Sequence, residues 1–167
     1  MKQRILTILL SLCMLLSLLP AAAGAMETPK VTVDGNYLFA NGNAITLMQG
    51  DDETKTLVYL DSDLENPIAL TGPTGDTTNG YDLTRVNIFG GSDGRRKAVT
   101  INGNTSITME GGTVYRIAGG GRGPSDTDPS KICTVNGTAS VTLKGGNVTY
   151  LYGAAMAIPL QQIPRSS

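Results

Sequence analysis

Three carboxylates stand two residues apart in the segment DSDLEN, at Asp61, Asp63 and Glu65. Hard oxygen ligands at this spacing suit Ca²⁺, and Asn66 adds an amide oxygen. An EF-hand loop would carry glycine at its sixth position, where this chain has Asn66 followed by Pro67. We therefore expect either a weak calcium site or a solvated acidic loop, and no other cofactor.

Stacking of sugar rings on aromatic side chains is a second chemistry that the sequence offers. Tyr115 and Tyr150 occupy adjacent positions in two copies of an internal repeat, so they form an aromatic patch if they face outward. The alternative is that these rings pack within the protein. The basic run Arg95, Arg96 and Lys97 is a candidate contact for an acidic polysaccharide or cell-wall polymer, or else a solvated surface.

No complete set of catalytic residues is present. Residues 90–94 (GGSDG) match the pattern G-x-S-x-G, which requires a histidine base, and the chain contains no histidine. Residues 119–123 (GGGRG) lack the Gly-Lys-Ser/Thr of a phosphate-binding loop. A polysaccharide lyase needs a basic residue beside calcium-bound carboxylates, and Arg95, Arg96 and Arg116 lie in a different segment from the three carboxylates. We predict that the protein is not an enzyme.

An internal repeat organises the second half of the chain. Residues 99–121 align without a gap to residues 133–155, at a constant offset of 34, and nine of the 23 positions are identical. Each copy is typical of three short strands of alternating apolar and Thr residues, joined by Asn-Gly and Gly-Gly turns that tolerate a positive φ. The segment between the copies, residues 122–131 (RGPSDTDPSK), is predicted to protrude as a loop.

This pattern predicts an all-β protein. The favoured architecture is a short right-handed β-solenoid, similar to a parallel β-helix, in which successive coils stack residues such as Ile107 on Val141. The alternative is a set of antiparallel hairpins, because Asn-Gly is also a strong hairpin signal.

The rest of the chain is expected to flank this solenoid. Residues 26–80 are predicted to form an antiparallel β-meander that caps the repeats of residues 81–155, and residues 156–167 an irregular tail. The tail matches nothing before it and carries no sortase-type signal. We expect a truncated chain whose open solenoid end permits self-association.

Residues 1–25 have the features of a secretory signal peptide with a signal helix. Lys2 and Arg4 precede an uncharged apolar run of about 15 residues, shorter than the roughly 20 residues that span a bilayer. Without this segment, 11 basic and 14 acidic residues remain, too mild a charge to indicate nucleic acid as a partner. The mature chain is predicted to lack a transmembrane helix, and its single cysteine, Cys133, to be a small core residue.

The segment VNGTASVTLKGGNVTYLYGAA resembles the glycine-rich repeats of large secreted or surface proteins of Gram-positive gut bacteria, and LVYLDSDLENPIAL resembles the region that precedes such repeats in some of them. This resemblance implies an adhesin-like, extracellular structural role and carries over no catalytic residue. We expect a secreted or surface-exposed structural or adhesion protein. A carbohydrate-binding module is the alternative, and a polysaccharide-degrading fragment is a third.

Overall fold

The computed structural model describes residues 30–123 and 130–153, and within these ranges every regular element is a β-strand. The protein is all-β, as the sequence predicts. No described residue belongs to a helix long and apolar enough to cross a membrane. The strands are β1 (Thr32–Asp34), β2 (Tyr37–Phe39), β3 (Ile45–Gln49), β4 (Lys55–Leu60), β5 (Gly75–Asp76), β6 (Gly80–Asp82), β7 (Asn87–Phe89), β8 (Val99–Ile101), β9 (Thr105–Met109), β10 (Thr113–Ala118), β11 (Cys133–Val135), β12 (Ala139–Leu143) and β13 (Asn147–Tyr152). The predicted signal peptide (1–25) and irregular tail (156–167) lie outside the described residues.

The strands form three sheets. The first has the order β1-β2-β7-β10-β13, the second the order β12-β9-β3-β4-β6-β5, and the third contains β8 and β11. The two repeat copies pair in parallel in all three sheets, and their register partners are the residues that the repeat alignment equates, such as Ile107 and Val141. Consecutive repeat strands therefore lie in different sheets and form no hairpins with one another.

The N-terminal part differs from the predicted antiparallel meander. Strands β2 and β3 follow each other in sequence but belong to different sheets. Each is paired on one side with an antiparallel neighbour (β1 or β4) and on the other with a parallel strand (β7 or β9). The physical reason is burial, since Leu38 and Leu47 are fully buried in the core that also contains Ile107 and Ile117.

A second, smaller apolar cluster lies apart from this main core. It contains Phe39, Phe89 and Ala118, with Tyr37 packed against it. The rings of Phe39 and Phe89 stack with their centroids 5.4 Å apart. Because side chains alternate along a strand, Phe39 and its neighbour Leu38 point to opposite faces of the five-stranded sheet. The sheet is therefore covered by apolar side chains on both faces.

Candidate functional site

The candidate site lies on the outer face of the five-stranded sheet. One row of register partners crosses four strands and consists of Tyr37, Asn87, Arg116 and Tyr150. Register partners on neighbouring strands share a face and lie about 5 Å apart. Ile117, the residue after Arg116, is fully buried in the main core. The row therefore points away from that core.

Tyrosine rings surround one guanidinium group on this face. The centroids of the Tyr115 and Tyr150 rings lie 5.3 Å apart in an edge-to-face arrangement. The Arg116 Cζ atom lies 5.3, 5.2 and 5.8 Å from the ring centroids of Tyr115, Tyr150 and Tyr152. At such distances the ring quadrupoles attract the cation. We call this surface the tyrosine–arginine face; it consists of Tyr37, Asn87, Tyr115, Arg116, Tyr150 and Tyr152, together with Arg122, whose guanidinium group lies over the Tyr37 ring.

A local irregularity in β10 gives this face two neighbouring residues. Val114 and Ile117 are both fully buried, although they are three positions apart rather than the even number that strict alternation requires. Tyr115 and Arg116 between them are both half-buried, and the register with β13 skips Tyr115. The offset between the two strands is 34 residues on both sides of Tyr115, so β10 and β13 share this irregularity and neither contains an extra residue. Tyr115 can therefore reach Tyr150 beside Arg116.

A second arginine approaches the face from the loop after β10. Arg122 is only 8% exposed, and its Cζ atom lies 3.6 Å from the centroid of the Tyr37 ring. Burial lowers the pKa of Arg122, and the positive charge of Arg95 lowers it further. Arginine has so high a pKa that the group stays charged. Arg122 is thus a buried cation that lies against an aromatic ring.

Unlike Arg122, the neighbouring residues Arg95 and Arg96 form ion pairs with carboxylates. Arg95 donates to Asp93 through Nε at 2.8 Å and through Nη2 at 2.7 Å, and it also donates to Asp34 at 2.7 Å. Burial raises the pKa of Asp93, but the hydrogen bonds and charge of Arg95 outweigh burial and hold that pKa below its usual value. Arg96 lies 3.4 Å from the same Asp34 oxygen. Two members of the predicted basic run are therefore already paired within the protein.

Three buried polar side-chain atoms in the described residues have no hydrogen-bond partner, and all belong to the tyrosine–arginine face. They are Asn87 Oδ1, Arg116 Nε and Arg122 Nη1. Buried polar atoms are usually satisfied, because leaving one unpaired costs about 1–3 kcal/mol. These three atoms lie on one face, so this face contains buried polar groups that no other described residue satisfies with a hydrogen bond.

The structure brings Tyr115 and Tyr150 together, as their positions in the repeat predict, although no ligand role is thereby tested. The sequence reasoning missed Tyr37, Asn87 and Arg122 as members of the face. It also missed the role of Arg116, even though the register of the two copies, which follows the repeat alignment, places Arg116 opposite Tyr150. The repeat alignment therefore contained the signal that Arg116 and Tyr150 are neighbours.

The three carboxylates of the predicted calcium loop are not brought into one cluster. Asp61 accepts a hydrogen bond from the Thr46 hydroxyl at 2.7 Å, and Asp63 accepts from the backbone and side chain of Asn66. Glu65 is exposed. Across residues 30–123 and 130–153, no group of three or more Asp, Glu or Cys side chains is placed to hold a metal ion.

Cys133 is a buried free thiol on β11, paired in register with Val99. Its Sγ atom accepts a hydrogen bond from the Ser92 backbone N–H at 3.3 Å. Burial raises the pKa of the Cys133 thiol. A buried, protonated thiol is a poor nucleophile, so packing is the role that these contacts support.

A small polar cavity of about 180 Å³ lies elsewhere, between Asn36, Thr74, Asp82 and Arg85. Ligand pockets for small molecules usually measure about 300–1,000 Å³. The cavity is also lined by Gly35, Gly72, Pro73 and Val86, and no aromatic ring is among its walls. The open tyrosine–arginine face is the better candidate for binding.

Comparison with known proteins assigns the chain to no family. No protein-family model, curated protein or solved structure matches it. The chemistry available to the tyrosine–arginine face is that of its own groups, which are aromatic rings, guanidinium donors and one amide acceptor. These groups can bind a ligand by stacking, charge and hydrogen bonds.

Proposed function

We propose that the chain is a secreted or surface-exposed β-repeat protein of the structural or adhesion type, without catalytic activity. The observation that carries this proposal is the tyrosine–arginine face on the outer side of the five-stranded sheet, two of whose rings are exposed. Tyr150 and Tyr152 are 44% and 38% exposed there. Exposed aromatic side chains clustered around an arginine are the composition that binding surfaces favour. The resemblance to glycine-rich surface proteins agrees with this role.

The proposed architecture is a short right-handed β-solenoid. The chain visits the five-stranded, two-stranded and six-stranded sheets in the same order twice, through β7, β8 and β9 and then through β10, β11 and β12, before β13 returns to the first sheet. Parallel strands joined by such crossovers are almost always connected with a right-handed turn. Stacked coils of this kind make a flat lateral face, which suits contact with an extended partner.

The second candidate function is a carbohydrate-binding module. The edge-to-face pair of Tyr115 and Tyr150, with Arg116 beside it, favours this function. Tyrosine rings can pack against the apolar face of a sugar ring, and arginine and asparagine can hydrogen-bond to its hydroxyl groups. An adhesion protein that binds polysaccharide would combine both candidates.

The test uses the full chain, purified from a host that secretes it. The protein is mixed with soluble and insoluble polysaccharides, with and without calcium, and both retention on the polymer and new reducing ends are measured. We expect retention without cleavage. We also expect Tyr150→Ala to weaken retention, whereas Tyr59→Ala, on β4 of the six-stranded sheet, should not. New reducing ends would overturn the non-catalytic assignment, and failure to bind any polymer would overturn carbohydrate binding.

Self-association is a further part of the proposal. Within the described residues, no strand pairs with the outer edges of β11, β12 and β13, whereas the opposite sheet ends carry the short antiparallel strands β1 and β5. Short edge strands discourage further pairing, and open edges invite it. We therefore propose that two copies meet through their C-terminal coils, in a symmetric contact that closes as a dimer rather than a filament.

A further inference from the structure

We propose that the tyrosine–arginine face binds a carboxylated polysaccharide, with Arg116 as the residue that contacts the carboxylate. This inference rests on the proposed function, because it names the ligand class of the same face. It is carried by the absence of an ion pair for Arg116 within the described residues and by the exposed tyrosine rings around its guanidinium group.

The arginines around Tyr37 and Tyr150 fall into two groups. Arg95 and Arg96 form ion pairs with Asp34 or Asp93. Arg116 and Arg122 form no ion pair with any residue in the described ranges. Arg122 is only 8% exposed, and the nearby charge of Asp93 partly balances it, whereas no described carboxylate pairs with Arg116. An anionic ligand group would supply the negative charge that the Arg116 guanidinium lacks.

Arg116 is placed to make the direct contact. Its guanidinium lies among three tyrosine rings, and two of these rings, Tyr150 and Tyr152, are substantially exposed. A guanidinium binds a carboxylate through two parallel N–H···O hydrogen bonds, which a neutral hydroxyl group cannot reproduce. Arg122 lies against the Tyr37 ring, two strands from Arg116, and is a positioning residue for that ring.

The width of the row of aromatic side chains indicates a sugar acid polymer rather than a simple anion. Asn87 Oδ1 is an unpaired acceptor and its register partner Arg116 has an unpaired Nε donor. Both atoms are buried, so they make the base of the face polar but are not themselves contact points for a polymer. Tyr37 and Arg116 lie two strands apart, which corresponds to roughly 10 Å across the sheet. That width suits a polymer better than a single small anion.

The experiment compares two forms of one polymer with the full chain. Polygalacturonate carries a carboxylate on each sugar, and its fully methyl-esterified form keeps the same rings without the charge. Affinity is measured by isothermal titration at low and moderate salt. We expect polygalacturonate to bind at least about tenfold more tightly than the ester, with the difference decreasing as salt screens the charges. Equal affinity for the two polymers would overturn the proposal.

Variants separate a specific contact from general charge. Arg116→Gln should reduce affinity for polygalacturonate by about tenfold, which is the loss expected from one charge-assisted contact of about 1.4 kcal/mol. Arg116→Gln should weaken binding of the ester by clearly less than tenfold, because only hydrogen bonds to uncharged hydroxyl groups are lost there. Arg85→Gln removes an equal charge from an exposed site on the small cavity and should change neither. Equal losses in the two variants would reduce the effect to net charge and overturn the proposal.

The outcomes also distinguish this inference from the proposed function. Equal binding of acid and ester polymers, weakened by Tyr150→Ala, would retain a carbohydrate-binding face and reject its preference for carboxylates. Absence of binding to both would reject the proposed ligand class, whereas the proposed function is rejected only if no other polysaccharide is retained. If Arg116→Gln fails to fold, the comparison of the two polymers with the unchanged chain still decides the question.

Discussion

The two repeat copies have nearly the same pattern and the same strands, yet their apolar side chains differ in burial. The core residues of the inner copy are fully buried: Ile107, Met109, Val114 and Ile117. Their partners in the terminal copy are partly exposed, and Leu143 and Leu151 reach 47% and 48%. The difference therefore does not arise from the amino acids themselves.

The difference in burial between the two copies arises from the number of strands that neighbour each repeat strand. In the inner copy, β9 lies between β3 and β12, and β10 lies between β7 and β13. In the terminal copy, β12 and β13 have a neighbour on one side only within the described residues. A repeat thus determines strand conformation and register by itself, whereas the burial of its side chains depends on the next coil.

The largest expected difference between the two copies is in the free energy of unfolding that is lost when matched apolar residues are truncated to alanine. Ile117→Ala removes a fully buried side chain and should lower the free energy of unfolding by about 2–5 kcal/mol. Leu151→Ala, at the partner position, should cost less than about 1.5 kcal/mol, because half of that side chain is already in water. Urea unfolding at a concentration where the protein is monomeric measures both values. Equal losses would show that the terminal copy is covered as well as the inner one.

An effect of intermediate size is expected on self-association. Leu151→Lys places a charge on the exposed C-terminal coil and should weaken a contact between two such coils by at least about tenfold in Kd. The matched control is Leu64→Lys, because Leu64 is 49% exposed but lies far along the chain from that coil, in the segment after β4. Sedimentation equilibrium measures both. A monomer at all concentrations, or an equal effect of the two variants, would contradict the proposed end-to-end contact.

The repeat strands could be predicted from the sequence because period and alternation act together. The constant offset between the copies fixes the register, and Thr and apolar residues alternate through β9 and β12. The N-terminal part could not be read in the same way. Asn41 and Gly42 both have positive φ, at 53° and 86°, which is the signature of a hairpin turn. Here they turn the chain from β2 in one sheet to β3 in another. The local backbone conformation alone does not distinguish a hairpin from such a change of sheet.

The candidate site was predictable only in part. The contact between Tyr115 and Tyr150 follows from the repeat. The outward position of Arg116 depends on the irregular spacing between Val114 and Ile117, which an alternating pattern does not contain. Tyr37 joins the face only because β2 pairs with β7, a contact between segments that share no obvious repeat.

The smallest effect concerns an ion pair between the two copies, one of several side-chain contacts that join them. Lys144 Nζ lies 2.8 Å from Glu110 Oε1, and these side chains are 60% and 42% exposed. Exposed ion pairs contribute about 0.2–1 kcal/mol, so a double-mutant cycle of Glu110→Gln and Lys144→Met should give a coupling energy within that range, decreasing with salt. Backbone pairing between β9 and β12 would then account for most of the attachment of the terminal copy. A coupling energy well above about 1 kcal/mol would instead assign that attachment to the charged side chains, and the two copies would differ in chemistry as well as in their neighbours.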